Sequence, residues 1–203
     1  MITSPRYHRH QHGASLVVTL VMLLIVLLLG ASSSNVALMG EKAARNERDR
    51  VVALQAAESA LSDAELDIEN SASPASRSTI FSPVSTEGFT DGCGNGDGNI
   101  YQGLCSNLGN AQKSPWLTTT IANAGANSVS VQYGRFTGQT LPHNGGPFPI
   151  QLPRYLIELM LDNTAGQSAD AHYLYRITAI GFGSSLETQA VVQSYYRKSE
   201  NKE

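Results

Sequence analysis

The chain has 203 residues, of which 41% are hydrophobic and only 15% are charged, against roughly 25% charged residues in ordinary soluble domains. Its formal net charge is −3, so it lacks the basic excess with which nucleic-acid-binding proteins neutralise phosphates. Two cysteines are too few for a zinc site made of cysteines alone or for a disulfide-rich miniprotein.

The N-terminal segment contains one long apolar run. Residues 13–40 include no Asp, Glu, Lys, Arg or His, and the 18 residues from Ala14 to Ala31 are just enough to cross a bilayer as a helix. Arg6 and Arg9 precede the run, and positive charge before a single span keeps the N-terminus in the cytoplasm. We therefore expect a single pass through a bacterial inner membrane, with the C-terminal part in the periplasm, where disulfides persist.

Three interpretations of this run differ in where the chain is cut. A secretory signal would be cleaved at the small residues 30–34, a plain signal anchor would stay uncut, and a third type of leader is removed before the apolar run. The polar, basic residues 1–13 end in Gly13, and the apolar helix begins at once with Ala14. This abrupt change favours the third interpretation, with residues 1–13 as a leader and residues 14–40 as a hydrophobic membrane and assembly helix.

Residues 41–70 predict an amphipathic continuation of the same helix. Apolar side chains recur every seven residues in a stripe that we expect to form the seam between helix and sheet: Leu54, Leu61 and Ile68. Acidic side chains are expected on the other faces: Glu58, Asp63, Glu65 and Glu69. No proline interrupts residues 14–70, and Pro74 follows, so one long helix is predicted to end near Asn70.

Residues 71–125 predict a loop region rich in glycine and serine. Cys93 and Cys105 lie within it, twelve residues apart. In the periplasm we expect them to form a disulfide, which would stabilise the fold by roughly 3 kcal/mol on the chain-entropy model. Two free thiols, the alternative, would suit a cytosolic chain.

The glycine-rich stretch also has oxygen donors at alternate positions, as calcium-binding loops do: Asn95, Asp97 and Asn99. An EF-hand requires glycine where Ile100 stands and a bidentate glutamate where Ser106 stands. A cluster of turns beside a disulfide is therefore favoured over a calcium site, and no cofactor is expected.

Residues 126–203 predict an antiparallel sheet of about four strands. Alternating apolar residues place the strands at residues 129–133, 155–161, 173–181 and 187–196. The turns at residues 163–166 and 183–185 suit antiparallel neighbours. One apolar face of this sheet needs a cover, and the amphipathic helix is the available partner. The predicted fold is α+β, with the second half of a long N-terminal helix packed on the sheet.

Catalytic motifs are not found in the sequence. There is no Gly-x-Ser-x-Gly elbow, Walker loop or His-Glu-x-x-His pattern, and His143 and His172 are the only histidines after the leader. We therefore expect neither an enzyme nor a protein with a small-molecule substrate. Trp116 is expected to fill a gap in the core.

Five segments together make the chain resemble the PilX minor pilin family of type IV pilus systems and its relative, the K-type pseudopilins of type II secretion. They are residues 11–18, 54–61, 103–105, 153–158 and 175–181. The resemblance covers most of the chain and implies a pilin-like fold and a subunit without enzymatic activity. It also implies that prepilin peptidase cleaves between Gly13 and Ala14 and that the new amine of Ala14 is methylated.

The resemblance further implies partners and a place of action. Such proteins assemble with other minor pilins into a complex that initiates pilus growth and carries a PilY-type tip protein that acts in adhesion. Most pilins have glutamate as the fifth mature residue, whereas this chain has Val18. Two alternatives remain: a K-type pseudopilin, and a periplasmic binding module held by an uncleaved anchor. The N-terminal residue of the protein in the membrane distinguishes the binding module from a pilin.

Overall fold

The protein was analysed as a computed structural model, which describes residues 14–108, 113–162 and 172–198, apart from the side chains of residues 33–35. The predicted leader, residues 1–13, and the predicted turn at residues 163–166 lie outside the described residues.

The predicted long helix is confirmed. Helix α1 comprises the 56 residues Ala14–Glu69, and its end falls one residue before the predicted one because Pro74 and the serines before it do not continue the helical pattern. The chain divides into two compact units, Met1–Asn46 and Glu47–Glu203. The apolar part of α1 belongs to the first unit, and its second part belongs to the unit that contains the sheet.

The sheet has five strands in the order β1-β3-β4-β5, with β2 also paired to β3. The strands are β1 Leu104–Ser106, β2 Val131–Gln132, β3 Arg154–Leu161, β4 Tyr173–Phe182 and β5 Gln189–Tyr196. Strands β3, β4 and β5 form an antiparallel meander in which Glu158 lies opposite Arg176 and Thr178 lies opposite Gln193. The four predicted strands are all present, and the α+β class is confirmed.

The sheet also includes a strand that the sequence did not predict. Strand β1 pairs in parallel with β3, so that Leu104 lies opposite Ile157, and the sheet is therefore mixed. This strand comes from the segment predicted as loop, as do a 3₁₀ turn, Ser78–Ile80, and a short helix α2, Pro115–Thr118. The described residues of this segment, 71–108 and 113–125, thus contain more regular structure than their glycine content indicated.

Side chains alternate between the two faces along each strand, and each face carries a buried core, although the residues of β5 that face away from α1 are exposed. On the face that packs against α1, the core includes Tyr155, Ile157, Tyr175 and Ile177. On the opposite face, a second core contains Leu156, Ile180, Phe182, Ile121 and both cysteines, with Trp116 partly buried against it. The sequence analysis predicted a cover for one face only, whereas residues from the loop region cover the other.

The second part of α1 runs in the same direction as β5. Near its start, the Asp49 carboxylate accepts a hydrogen bond from the backbone amide of Ser184, just before β5. At its end, the Glu69 carboxylate accepts a hydrogen bond of 2.7 Å from the hydroxyl of Tyr196, the last residue of β5. The second part of α1 is therefore bonded to the turn between β4 and β5 near its start and to the last residue of β5 at its end.

Candidate functional site

The first candidate surface is the apolar part of α1. Every large apolar side chain described between residues 16 and 39 is exposed, with exposed fractions from 48% to 73%. By length and composition the helix can cross a membrane. An exposed apolar surface of this length indicates contact with lipid or with other protein chains.

Val18 lies on this surface and presents only carbon to its surroundings, with an exposed fraction of 57%. The neighbouring Thr19 hydroxyl donates to the Leu16 carbonyl at 2.9 Å, so this polar group is satisfied within the helix. The first ionisable side chain after Ala14 is that of Glu41. Nothing on the helix before Glu41 can therefore neutralise a positive charge on a neighbouring chain.

Ala14 is the first residue that the structure describes, and Gly13 lies outside the described residues. Within the described residues, α1 extends from Ala14. Cleavage of the bond between Gly13 and Ala14 and methylation of the Ala14 amine stay predictions.

The seam between α1 and the sheet is built mainly from alanines. Leu54, predicted in the seam, is 40% exposed, and Leu61 is half-buried, whereas Ile68 is fully buried. The buried positions recur at helical spacing about one residue away from the predicted stripe: Ala53, Ala56, Ala57, Ala60 and Ala64. The prediction for Leu54 is wrong because the sheet approaches α1 too closely for a large side chain, and this spacing of alanines was the signal that could have revealed it.

Gly181 of β4 shows how close that approach is. A Cβ atom added at Gly181 would lie 2.1 Å from the Ala53 carbonyl oxygen and 2.3 Å from the Ala57 backbone nitrogen. Only a glycine on the strand and small residues on the helix permit this contact. The backbone of β4 therefore packs directly on the backbone of α1.

Asp67 of α1 lies at the centre of a buried polar cluster. Its carboxylate receives hydrogen bonds from the Arg77 Nε and Nη2 atoms, at 2.7–3.1 Å, and from the Tyr155 hydroxyl at 2.9 Å. The side chains of Asp67 and Arg77 are both 0% exposed. Burial, with the Asp67 charge as the next cause, raises the pKa of Tyr155 well above its usual value. Such a pair is costly to bury but more costly to break, because either charge alone would be uncompensated.

Arg77 also connects this cluster to the glycine-rich loop. Its Nη1 atom donates to the carbonyl oxygens of Ile100 and Gln102, at 2.8 and 2.6 Å, and its guanidinium lies 3.8 Å from the centre of the Phe136 ring. The predicted disulfide between Cys93 and Cys105 is confirmed, and it closes the same loop. The disulfide and the Asp67–Arg77 pair therefore fix one loop from two sides.

Asp63, expected on an outer face of α1, is instead buried, with 3% exposure. Its carboxylate accepts hydrogen bonds from the Gly134 amide at 2.8 Å and from the Thr137 hydroxyl. Burial raises the pKa of Asp63, although the two hydrogen bonds oppose this effect. The expectation is wrong because the loop after β2 lies against this face of the helix and supplies donors for the carboxylate.

The candidate calcium ligands are used locally. The Asn99 side chain accepts a hydrogen bond from the Tyr101 amide at 2.9 Å and donates one to the Asn95 carbonyl at 3.1 Å. Burial lowers the pKa of the Arg154 guanidinium, and the charge of the nearby Asp97 partly opposes this shift. The Asn99 side chain therefore takes part in a turn, and Asp97 lies near a cation. Within the described residues, no group of three or more His, Cys, Asp or Glu side chains is arranged to hold a metal ion.

The remaining residues noted in the sequence have local roles. The His143 ring is exposed and lies 3.2 Å from the Leu141 carbonyl oxygen. On the sheet, Arg176 forms a two-pronged ion pair with the fully buried Glu158, at 2.8 and 2.9 Å. Sequence reasoning missed this pair because its two members lie 18 positions apart along the chain and face each other only in the register of β3 and β4.

A long N-terminal helix with an apolar first part and a second part packed on a mostly antiparallel sheet defines a pilin-like protein. The sequence matches two family models, one described as "PilX N-terminal" over residues 12–62 and one as "Type IV pilus assembly protein PilX C-term" over residues 101–198. The chain belongs to the PilX family of type IV pilus assembly proteins, a structural family not known to be enzymatic. Comparisons with curated proteins and with solved structures found no significant match.

Proposed function

We propose that the protein is a minor pilin that helps to initiate type IV pilus assembly and occupies a complex at the pilus tip. In this proposal it is a single-pass protein of the bacterial inner membrane with a periplasmic domain until it enters the filament. Its partners are prepilin peptidase, other minor pilins and a PilY-type tip protein that acts as the adhesin. Membership of the PilX family and the exposed apolar part of α1 support this proposal.

The observation that best supports a position at the tip is the uncharged surface around Val18. In pilins generally, the glutamate at that place meets the free N-terminal amine of the next subunit above. An unpaired charge among apolar helices costs about 2.5–3.5 kcal/mol or more, so a subunit beneath others benefits from the carboxylate. A subunit with none above it has no amine to neutralise, and Val18 suits that position.

A labelling experiment tests the position. A tag in the exposed loop at Asn144 is expected to mark one end of sheared pili, and deletion of the gene is expected to lower the number of pili. Regularly spaced label along the shaft would contradict the tip position. Unchanged pilus number after deletion would contradict the role in initiation.

The variant Val18→Glu sharpens the experiment, with Val18→Leu as the control. Glutamate would give this subunit the group that the shaft position requires, so label is expected to spread into the shaft. Leucine keeps the uncharged surface and is expected to leave the label at the end. Mass spectrometry of the membrane protein tests the leader in the same strains, since the expected mature chain begins at a methylated Ala14.

A further inference from the structure

The two edges of the sheet differ in how their backbone groups are used. At the β1 edge, the Gly94 amide donates to the Leu104 carbonyl at 3.1 Å, and the Ser106 amide donates to the Thr90 carbonyl at 2.9 Å. The disulfide-closed loop therefore covers that edge. At the other edge, within the described part of the chain, the eight residues of β5 pair with β4 alone.

The hydrogen bonds identify which groups of β5 face outward. At the turn before β5, the Gly183 amide donates to the Thr188 carbonyl at 2.8 Å. In an antiparallel pair, residues that exchange hydrogen bonds recur at every second position. The even-numbered residues of β5 therefore bond to β4, and the outward backbone amides and carbonyls belong to Gln189, Val191, Gln193 and Tyr195.

Within the described residues, strand β5 itself carries none of the sequence features that usually protect an edge strand. Natural edges are blocked by charged residues, prolines or bulges, and Gln189–Tyr196 contains neither a charged residue nor a proline. Its ladder with β4 continues without a bulge over all eight residues. The side chains of Val191 and Tyr195, which lie on the sheet face opposite α1, are 52% and 63% exposed beside this edge. An arriving strand would thus find backbone partners and apolar surface together.

A second copy of this chain does not fit this edge. Because α1 runs in the same direction as β5, antiparallel pairing of two β5 strands would make the two α1 helices antiparallel, whereas copies anchored in one membrane share one direction. Parallel pairing about a two-fold axis would place each residue opposite itself. A parallel ladder instead requires an outward residue opposite an inward one. The register therefore excludes the parallel symmetric dimer, and the shared membrane of the proposed function excludes the antiparallel one.

We propose that β5 accepts, as a sixth strand, an extended and uncharged segment of another protein of the pilus assembly. Backbone hydrogen bonds from the outward residues hold this segment, and apolar side chains at its alternate positions cover Val191 and Tyr195. This is strand addition at a sheet edge, in which the backbone supplies affinity and alternate side chains supply selectivity. The inference rests on the proposed function, since it describes how a partner in that assembly attaches.

A proline substitution tests the backbone directly. Gln193→Pro removes an outward amide that β4 does not use, and Gln193→Ala is its matched control, because both lose the hydrogen bond of 2.9 Å from the Gln193 side chain to the Thr178 hydroxyl. The full chain is expressed in piliated cells with p-benzoylphenylalanine in place of Tyr195 as a photo-crosslinker. We expect a defined adduct with another protein in the alanine variant. The adduct should be about tenfold weaker in the proline variant, because a carbonyl oxygen of the added strand is then buried without the Gln193 amide that would donate to it.

The result that overturns the proposal is an equal adduct in both variants, an adduct with a second copy of this chain, or no adduct in either variant. Intact fold of Gln193→Pro is checked by its unfolding midpoint against that of Gln193→Ala. If the proline variant does not fold, Val191→Lys replaces it, with Val191→Thr as control, because a lysine on the edge repels an added strand. Pilus number in the deletion strain is measured separately, so failure of the proposed function is distinguished from failure of strand addition.

Discussion

The two parts of α1 show opposite relations between side-chain size and burial. In the first part, leucine, isoleucine, valine and methionine are exposed. In the second part, alanines such as Ala57 and Ala60 are 0% exposed. Bulky side chains suit a surface that meets lipid or other helices, whereas alanines let the backbone of β4 come close. Side-chain size along this helix therefore reflects what packs against each part.

The same two parts differ in charge. Residues 14–40 carry no ionisable side chain, whereas the second part buries Asp63 and Asp67 and gives each of them donors from its own domain. The comparison indicates that polar bonds hold the second part within the subunit, whereas the first part has no charged side chain that could form such ion pairs. Five substitutions can break or sharpen this comparison.

Removing the partner of Asp67 should have the largest effect. Arg77→Met leaves a buried carboxylate without its cation and is expected to lower the free energy of unfolding by about 3–5 kcal/mol, measured by urea denaturation of the full chain in detergent. Asp67→Asn combined with Arg77→Met should restore much of the loss. Arg135→Met, at an exposed arginine, is the control, and an equal loss in the control would contradict the role of the buried pair.

Opening the disulfide should have the next largest effect. Replacing both Cys93 and Cys105, 12 positions apart, with serine is expected to lower the free energy of unfolding by about 3 kcal/mol. Membrane insertion should not change, because the apolar part of α1 is separate from that loop. Reduction of the wild type should give the same unfolding midpoint as the variant, and a midpoint that reduction does not change would refute the prediction.

A methyl group at the close contact should cost less. Gly181→Ala forces a Cβ atom against the α1 backbone and is expected to destabilise the domain by about 1–3 kcal/mol, as a fall in the thermal unfolding midpoint. Gly145→Ala is the matched control, because a Cβ there meets no atom within 4 Å. Equal midpoints of the two variants would mean that β4 and α1 are farther apart than described.

Asp63 should make stability depend on pH. In the folded state, the pKa of Asp63 is raised above its usual value of 3.8. Its contribution to the free energy of unfolding is therefore complete below pH 3.8 and is lost as the pH rises through the raised pKa. Asp63→Asn does not ionise, and its stability relative to the wild type is expected to increase as the pH rises from about 3 to about 6. A difference in the free energy of unfolding between the two proteins that stays constant with pH would contradict this prediction.

The smallest effect is expected at Leu54, which behaves as a residue of the exposed part although it lies in the second part. Leu54→Ala should change the free energy of unfolding by about 0.5 kcal/mol at most, whereas Ile68→Ala should lower it by about 2–5 kcal/mol. Thermal denaturation of both variants compares them directly. A large loss of stability in Leu54→Ala would show that Leu54 lies in the seam after all.

Local patterns were sufficient to predict much of the fold. The continuous helix, the strands β2 to β5 and the Cys93–Cys105 bridge were predicted because each depends on periodicity or on a cysteine pair in an oxidising compartment. The seam was misplaced because a stripe of leucines has a stronger hydrophobic signal than a stripe of alanines, although close packing favours the latter. Strand β1 was missed because its three residues form a strand only by pairing with β3, about fifty positions later.

The candidate site was predictable only in part. Val18 and the uncharged residues around it are visible in the sequence without any structure. The outward side of β5 is not, because it depends on which neighbour each backbone amide uses. The donors to Asp63 and Asp67 were equally hidden, since they come from positions 10 to 88 residues away along the chain.

The fastening of α1 to its domain has a mechanical consequence. Four carboxylates, spaced from Asp49 to Glu69, bind to separate segments of the domain, and the helix lies along β5 between the two outermost of them. A pull along the helix axis therefore acts on these bonds in shear, so that they share the force and do not open one after another. A helix held in this geometry resists more force along its axis than one that is peeled from the sheet at one end.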